Sequence, residues 1–217
     1  MKTICLFLAA VMLLSATIPM AMPSDALADN GKLYSGGAID SSGRFSLTAV
    51  EFMEELISVM NSNTALSALD ATFSALGDSS ISLSPEFTYY YQDESFYILQ
   101  YMGMEIGAVS FLKDGNPTSG SSNFDSVGVQ IPNNSFISPF FLFNACCSAI
   151  FLTAPACLYE DALLLFASLT AKQKEYQSNE QYPYAEVSNE LFEYSVESFL
   201  IDEAENTWQY LFIVSQI

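Results

Sequence analysis

A chain of 217 residues with 6 basic and 25 acidic side chains carries a formal net charge of −19, and a surface that acidic repels nucleic acid and anionic lipid headgroups. Hydrophobic residues make up 51% and charged residues only 14%, so the chain is no disordered acidic tail and has the apolar mass for a real core. It contains no histidine, which removes His-based triads, imidazole metal sites and the commonest general base.

At the N-terminus Lys2 precedes an apolar stretch from Ile4 to Leu14, and Ala26-Leu27-Ala28 stands before Asp29. This is the layout of a secretory signal peptide, 1–28, with a small-x-small site and cleavage expected after Ala28. The chain is therefore expected to be secreted or to reside in the periplasm or cell envelope. Cleavage removes one base (Lys2) and one acid (Asp25), so the mature chain keeps its net charge of −19. Residues 29–44 are polar and contain Gly31, Gly36, Gly37 and Gly43; they read as a flexible N-terminal arm. The remainder, 45–217, reads as a single α+β domain, with halves at 45–132 and 133–217.

Thr48-Ala49-Val50-Glu51 is a capping box, with Thr48 as N-cap, Glu51 reaching back to its amide, and Leu47 and Phe52 placed as a hydrophobic staple. Ala49, Met53, Leu56, Ile57 and Met60 follow at helical spacing, which predicts a helix over 48–61. Leu66, Leu69, Phe73 and Leu76, with Gly77 behind them, predict a second, short helix. The period then changes. Ile81 and Leu83, then Phe87, Tyr89 and Tyr91, alternate around Pro85. Strands are expected there, at 96–102, at 105–112 and at 124–131. Turns at 92–95 and at Lys113-Asp114-Gly115-Asn116-Pro117 separate them. This is an antiparallel meander.

Residues 126–159 carry no charge, a length that could span a membrane. Three features favour a buried helix pair instead. Asn144 sits mid-run, where an unpartnered amide in lipid is costly. Pro139 and Pro155 limit the helix between them to about 15 residues. The residues that follow, Glu160 and Asp161, are acidic, and no basic cluster flanks the run. Helices are therefore expected at about 138–153 and 157–173, followed by a polar linker over 173–181. A strand over Tyr184–Val187 and a hairpin of 191–201 with 207–215 complete a second helix-then-meander pattern. Helices packed on antiparallel β-sheet, α+β, is the fold class this grammar implies.

Chemistry-bearing patterns are sparse. Cys146, Cys147 and Cys157 are an odd number for an exported chain; buried free thiols are the first reading, and a fold-back at Pro155 that brings Cys146 or Cys147 to Cys157 for a disulfide, with Cys147–Cys157 as the candidate pair, is the second. Asp114, Asn116, Thr118 and Asp125 occupy four positions of a calcium loop, but Ser119 and Asp125 stand where glycine and glutamate are wanted. No metal or other cofactor is expected. Carboxylates at Glu54-Glu55, Glu160-Asp161 and across 193–205 fall on polar helix faces or in a turn, where catalysis would need one of them buried. The tyrosines stand out. Tyr89, Tyr91, Tyr97 and Tyr101 crowd one hairpin, with Tyr89 and Tyr91 on one face and Tyr90 on the other. Such aromatics anchor a sugar or a partner protein when exposed, and pair across strands when not.

The expected function is thus an exported, soluble binding protein for a protein or small-molecule ligand, with Tyr89, Tyr91, Tyr97 and Tyr101 as the candidate surface, without nucleic acid and without a membrane span. One alternative is a carboxylate-only hydrolase of envelope or extracellular glycans. Another is a membrane-attached envelope protein, held by 136–158 or an uncleaved signal.

Overall fold

The computed structural model describes residues 36–62, 86–93, 96–118, 120–133, 138–154, 158–177, 184–202 and 207–217. Among them, three helices lie against one antiparallel sheet of eight strands. In chain order the elements are α1 (Ala49–Ser62), β1 (Phe87–Asp93), β2 (Phe96–Tyr101), β3 (Met104–Lys113), β4 (Asn116–Pro117), β5 (Ser126–Asn133), α2 (Ser138–Thr153), α3 (Tyr159–Gln177), β6 (Tyr184–Ser188), β7 (Phe192–Asp202) and β8 (Thr207–Gln216). The strands run in the order β1-β2-β3-β5-β8-β7-β6, with β4 attached to β3. The α+β class and the twofold helix-then-meander order are therefore as the sequence implies. Each meander starts at an outer edge and runs inward, and their last strands, β5 and β8, pair at the centre from Ser126↔Ser215 to Asn133↔Trp208.

Local chemistry explains the helix starts. The Glu51 carboxylate accepts the Thr48 N–H at 2.8 Å, and Thr48 Oγ1 accepts the Glu51 N–H at 3.4 Å; these are the two arms of the capping box. The loop after β4 covers the rest of that end. Its Gly120 and Ser122 carbonyls accept the N–H groups of Val50 and Ala49, donors that a helix leaves open at its first turn. Glu160 and Asp161 sit in the first turn of α3 and Lys174 in its last, matching the helix dipole.

The three helices share one face of the sheet. Phe52 of α1 meets Phe111 of β3, Phe141 of α2 meets Phe87 and Tyr101, and Phe166 of α3 meets Phe212 of β8. The core therefore lies between the helices and the strand positions that carry Tyr97, Val109, Val129, Phe212 and Val196, one register row across the sheet. Asn144 and Ser148 are buried in the middle of α2, and the Asn144 side-chain oxygen lies 3.5 Å from the Tyr159 hydroxyl of α3. Among the described residues, no helix is long and apolar enough to cross a membrane.

Two stretches differ from the sequence expectation. The arm expected over 29–44 is tied down from Gly36 onward. Gly36 and Ala38 donate to the carbonyls of Phe151 and Leu152 at the end of α2, Ile39 bridges Phe45, and Ala38 and Phe45 are buried. Open carbonyls at a helix C-terminus need such donors, which a polar, glycine-containing segment supplies as readily as a loose arm would hang free. Residues 173–177 of the linker expected over 173–181 are instead helical, because α3 continues to Gln177. Gln173 stays helical by burying its amide, which donates to Ser198 Oγ at 2.8 Å. The signal peptide, the short helix expected at 64–76 and the alternation at Ile81 and Leu83 lie outside the described residues.

An edge strand exposes unpaired backbone groups, and on β1 the side chain of Asn61 takes the place of a neighbour. Its Nδ2 donates to the Phe87 carbonyl at 2.9 Å and its Oδ1 accepts the Phe87 N–H at 2.7 Å. Asn61→Ala strands both groups beside a fully buried ring, and a loss of about 2 kcal/mol in chemical denaturation is expected. Ser62→Ala, which removes only an exposed bond to the Ser58 carbonyl, should stay within about 0.5 kcal/mol of the parent.

Candidate functional site

The tyrosine hairpin is divided by the structure. Tyr89 and Tyr91 do share a face, and their rings lie 5.8 and 5.3 Å from that of Tyr97. That face is the one the helices cover. Tyr97 is 1% and Tyr101 3% exposed, so both are core residues and out of a partner's reach. Tyr89 is half-buried and packs on the core, while Tyr91 remains 49% exposed near the open edge. Tyr90, on the opposite face, donates to Glu105 at 2.6 Å. Of the two readings of these four tyrosines, a binding surface and cross-strand pairing, Tyr97 and Tyr101 therefore take the second, because the helix layer needs the same strand face that the aromatics line.

Tyr97 is further notable for what its hydroxyl lacks. The oxygen is buried without a hydrogen-bond partner among the described residues, closed in by Gly120, where an added Cβ would come within 2.3 Å of it. Burial, then the neighbouring Tyr91 and Tyr89, push its pKa up to about 12. Since an unpaired buried hydroxyl carries a desolvation cost, Tyr97→Phe should leave stability unchanged or raise it by up to about 1 kcal/mol. A loss on thermal unfolding would show that the hydroxyl has a partner after all.

The other chemistry-bearing patterns resolve into structural roles or stay apart. Cys146 and Cys147 are both buried in α2. The Cys147 thiol points at the Ala162 carbonyl of α3 at 4.0 Å, and burial drives the Cys146 thiol well above its usual pKa. The proposed partner Cys157 lies outside the described residues. In the calcium-like loop, the Asp125 carboxylate accepts the Asp114 N–H at 2.7 Å and Asn116 donates to the Asp114 carbonyl. Those groups brace the turn of Asp114 and Gly115, both at positive φ, a two-residue hairpin connection for which Asp-Gly is the favoured pair. Among the described residues no group of three or more acidic or cysteine side chains is placed to hold a metal. Glu54, Glu160 and Asp161 are exposed on helix surfaces.

What sequence reasoning missed is the opposite face of the sheet. No described element covers it. On its central strands the register sets Phe96, Ser110, Gly128 and Ile213 in one row, and Ile98, Ala108, Gln130 and Leu211 in the next. Leu112 and Ser126 follow in a third. The small residues of β3 and β5 form a floor, and the apolar side chains of β2 and β8 form walls. Between them lies a depression of about 250 Å³ lined by Phe96, Leu112, Pro117, Leu211 and Ile213 above that floor. Phe96 is 37% exposed, and Ile98, Leu112, Leu211 and Ile213 are half-buried.

Beyond the β8 wall the chemistry changes. Glu193 and Glu197 of β7 are half-buried and share this face, with Glu197 directly opposite Leu211 and Glu193 opposite Ser215. Glu186 of β6 stands opposite Ser195. The Tyr184 hydroxyl donates to Glu186, and that bond first, then burial and the charges of Glu186 and Glu193, push its pKa up to about 12. Glu105 of β3 stands opposite Gln100 of β2, beyond the bulge, and its carboxylate accepts the Tyr90 hydroxyl of β1. No lysine or arginine occupies an open-face position of these strands. A signal existed in the sequence: Phe96-Tyr97-Ile98-Leu99 is apolar at both alternating positions, more than one buried face requires. No family model, curated protein or solved structure matches the chain.

Proposed function

We propose that this chain is an exported, non-enzymatic binding protein whose ligand surface is the open face of the sheet. The observation that carries the reading is an antiparallel sheet whose described helices all lie on one side, with a half-exposed apolar trough along the other. An antiparallel sheet tolerates water on one face when that face is polar; here the centre of that face carries Phe96, Ile98, Leu112, Leu211 and Ile213 instead. Exposed contiguous apolar surface rimmed by polar groups is characteristic of interaction sites. Export rests on the 1–28 leader, and the non-enzymatic part of the reading leans on the absence of histidine. Glycan hydrolysis is the weaker reading, because Glu186 is exposed and Glu193 and Glu197 are half-buried on an open sheet, where no described element closes them into a cleft across which two carboxyls could face a sugar.

Site-directed photo-crosslinking in the producing cell tests this directly. A photoreactive residue at Ser110, in the floor of the trough, should give discrete adducts, and one at Tyr91 on the β1 edge should give few. Adducts at Tyr91 alone would return the binding surface to the tyrosine hairpin. Intact mass of the recovered species should show a mature chain beginning at Asp29; retention of the full leader in a membrane fraction would overturn the export reading.

A further inference from the structure

The geometry points to an amphipathic, basic α-helix of a partner polypeptide as the occupant of this trough. This inference rests on the reading of the open face as the binding surface. The two walls belong to β2 and β8, with β3 and β5 between them. Three strand spacings separate the wall strands by about 14 Å, which admits a helix of about 10–12 Å diameter including side chains. The middle of the floor between them is made of Ala108, Ser110, Ser126 and Gly128, residues small enough to let a helix approach, with Leu112 and Gln130 at its diagonal corners. An added Cβ at Gly128 would already reach 3.2 Å from Ser110 Oγ and 3.6 Å from Leu211 Cδ1, so the floor is filled to its own level and the free space lies above it.

The charge beyond the β8 wall selects the partner's polar face. Glu193 and Glu197 of β7 lie one strand outside the β8 wall. A helix with an apolar stripe facing the floor would hold its flanking lysines or arginines over these carboxylates, with their aliphatic stems along that wall. The chain's net charge of −19 favours such a partner at long range and disfavours a second copy of the same chain.

The test uses the mature protein and three synthetic amphipathic helices of about 18 residues. They share one leucine stripe and carry lysine, glutamine or glutamate on the polar face. Binding is followed by amide chemical-shift perturbation. The lysine peptide is expected to perturb β3, β5 and β8 and to lose affinity about tenfold in the double variant Glu193→Gln/Glu197→Gln. Filling the floor with Ser110→Trp should abolish the perturbation without changing the charge. If the glutamine or glutamate peptide binds these strands as tightly, the basic partner is overturned while the binding face stands. If the lysine peptide perturbs only other surfaces, or none, the helix proposal fails. Perturbation of the same strands by zwitterionic vesicles and by no peptide would replace the partner helix with a lipid surface.

Discussion

Phe111→Ala is expected to lower stability by about 4 kcal/mol, which for a chain of this size lowers Tm by roughly 12 °C. Phe111 is fully buried, and its ring lies 5.7 Å from Phe52, 5.5 Å from Tyr97 and 4.7 Å from Phe124. It joins three segments far apart in sequence: α1, the β2–β3 hairpin and the segment leading into β5. Alanine removes the transfer energy of the ring and leaves a cavity that neighbours in a close-packed core fill only partly. Phe111→Leu, which keeps much of the volume, should lose less than half as much. Tyr91→Ala gives the contrast: its ring is half-exposed at the sheet edge, and a loss near 1 kcal/mol is expected. Chemical denaturation of the three variants, with m-values compared to the parent, checks the order. Equal losses for Phe111→Ala and Tyr91→Ala would mean that the aromatic cluster is not the core.

Gly107→Ala is expected to cost about 3 kcal/mol for the opposite reason, overpacking. The register between β2 and β3 slips after Leu99↔Gly107, so that Gln100 pairs with Glu105 and Ile106 is the extra residue of a bulge. There β5 approaches closely. A Cβ on Gly107 would lie 2.3 Å from the Gln130 carbonyl oxygen and 2.5 Å from Ile131 Cδ1. The side chain of Ile131 could turn away, but the carbonyl belongs to a backbone paired on both sides, to β3 and to β8. Relief therefore requires moving a central strand. Gly128→Ala, on the same pair of strands, meets only side-chain atoms at 3.2 and 3.6 Å and should cost about 1 kcal/mol or less. Thermal unfolding of both variants separates the cases, and a Gly107→Ala protein as stable as the Gly128→Ala protein would show that β5 does not press on the bulge.

The local grammar of this chain was legible without coordinates. Thr48 and Glu51 announced the start of α1 because a capping box is closed within four residues. Asp114-Gly115 announced a hairpin turn because both residues accept positive φ at low cost. The bounds of α2 follow from where prolines can stand. Alternation placed Tyr89 and Tyr91 together and Tyr90 apart, as found. These features depend on neighbours a few positions away, so periodicity and side-chain chemistry suffice to read them.

Which face of the sheet the helices would cover was a different kind of question. Strand period 2 sorts residues into two sets, and in β2 both sets are apolar: Tyr97 and Leu99 against Phe96 and Ile98. Only the docking of Phe52, Phe141 and Phe166 onto one side made Tyr97 and Tyr101 core and left Phe96, Ile98, Leu211 and Ile213 half-exposed. The same docking tied Gly36 and Ala38 to the end of α2, a contact more than 100 residues away in sequence. Burial is a property of what comes to lie on a surface, and that partner is chosen by long-range packing, so the trough and its acidic flank appear only once the two meanders meet at β5 and β8.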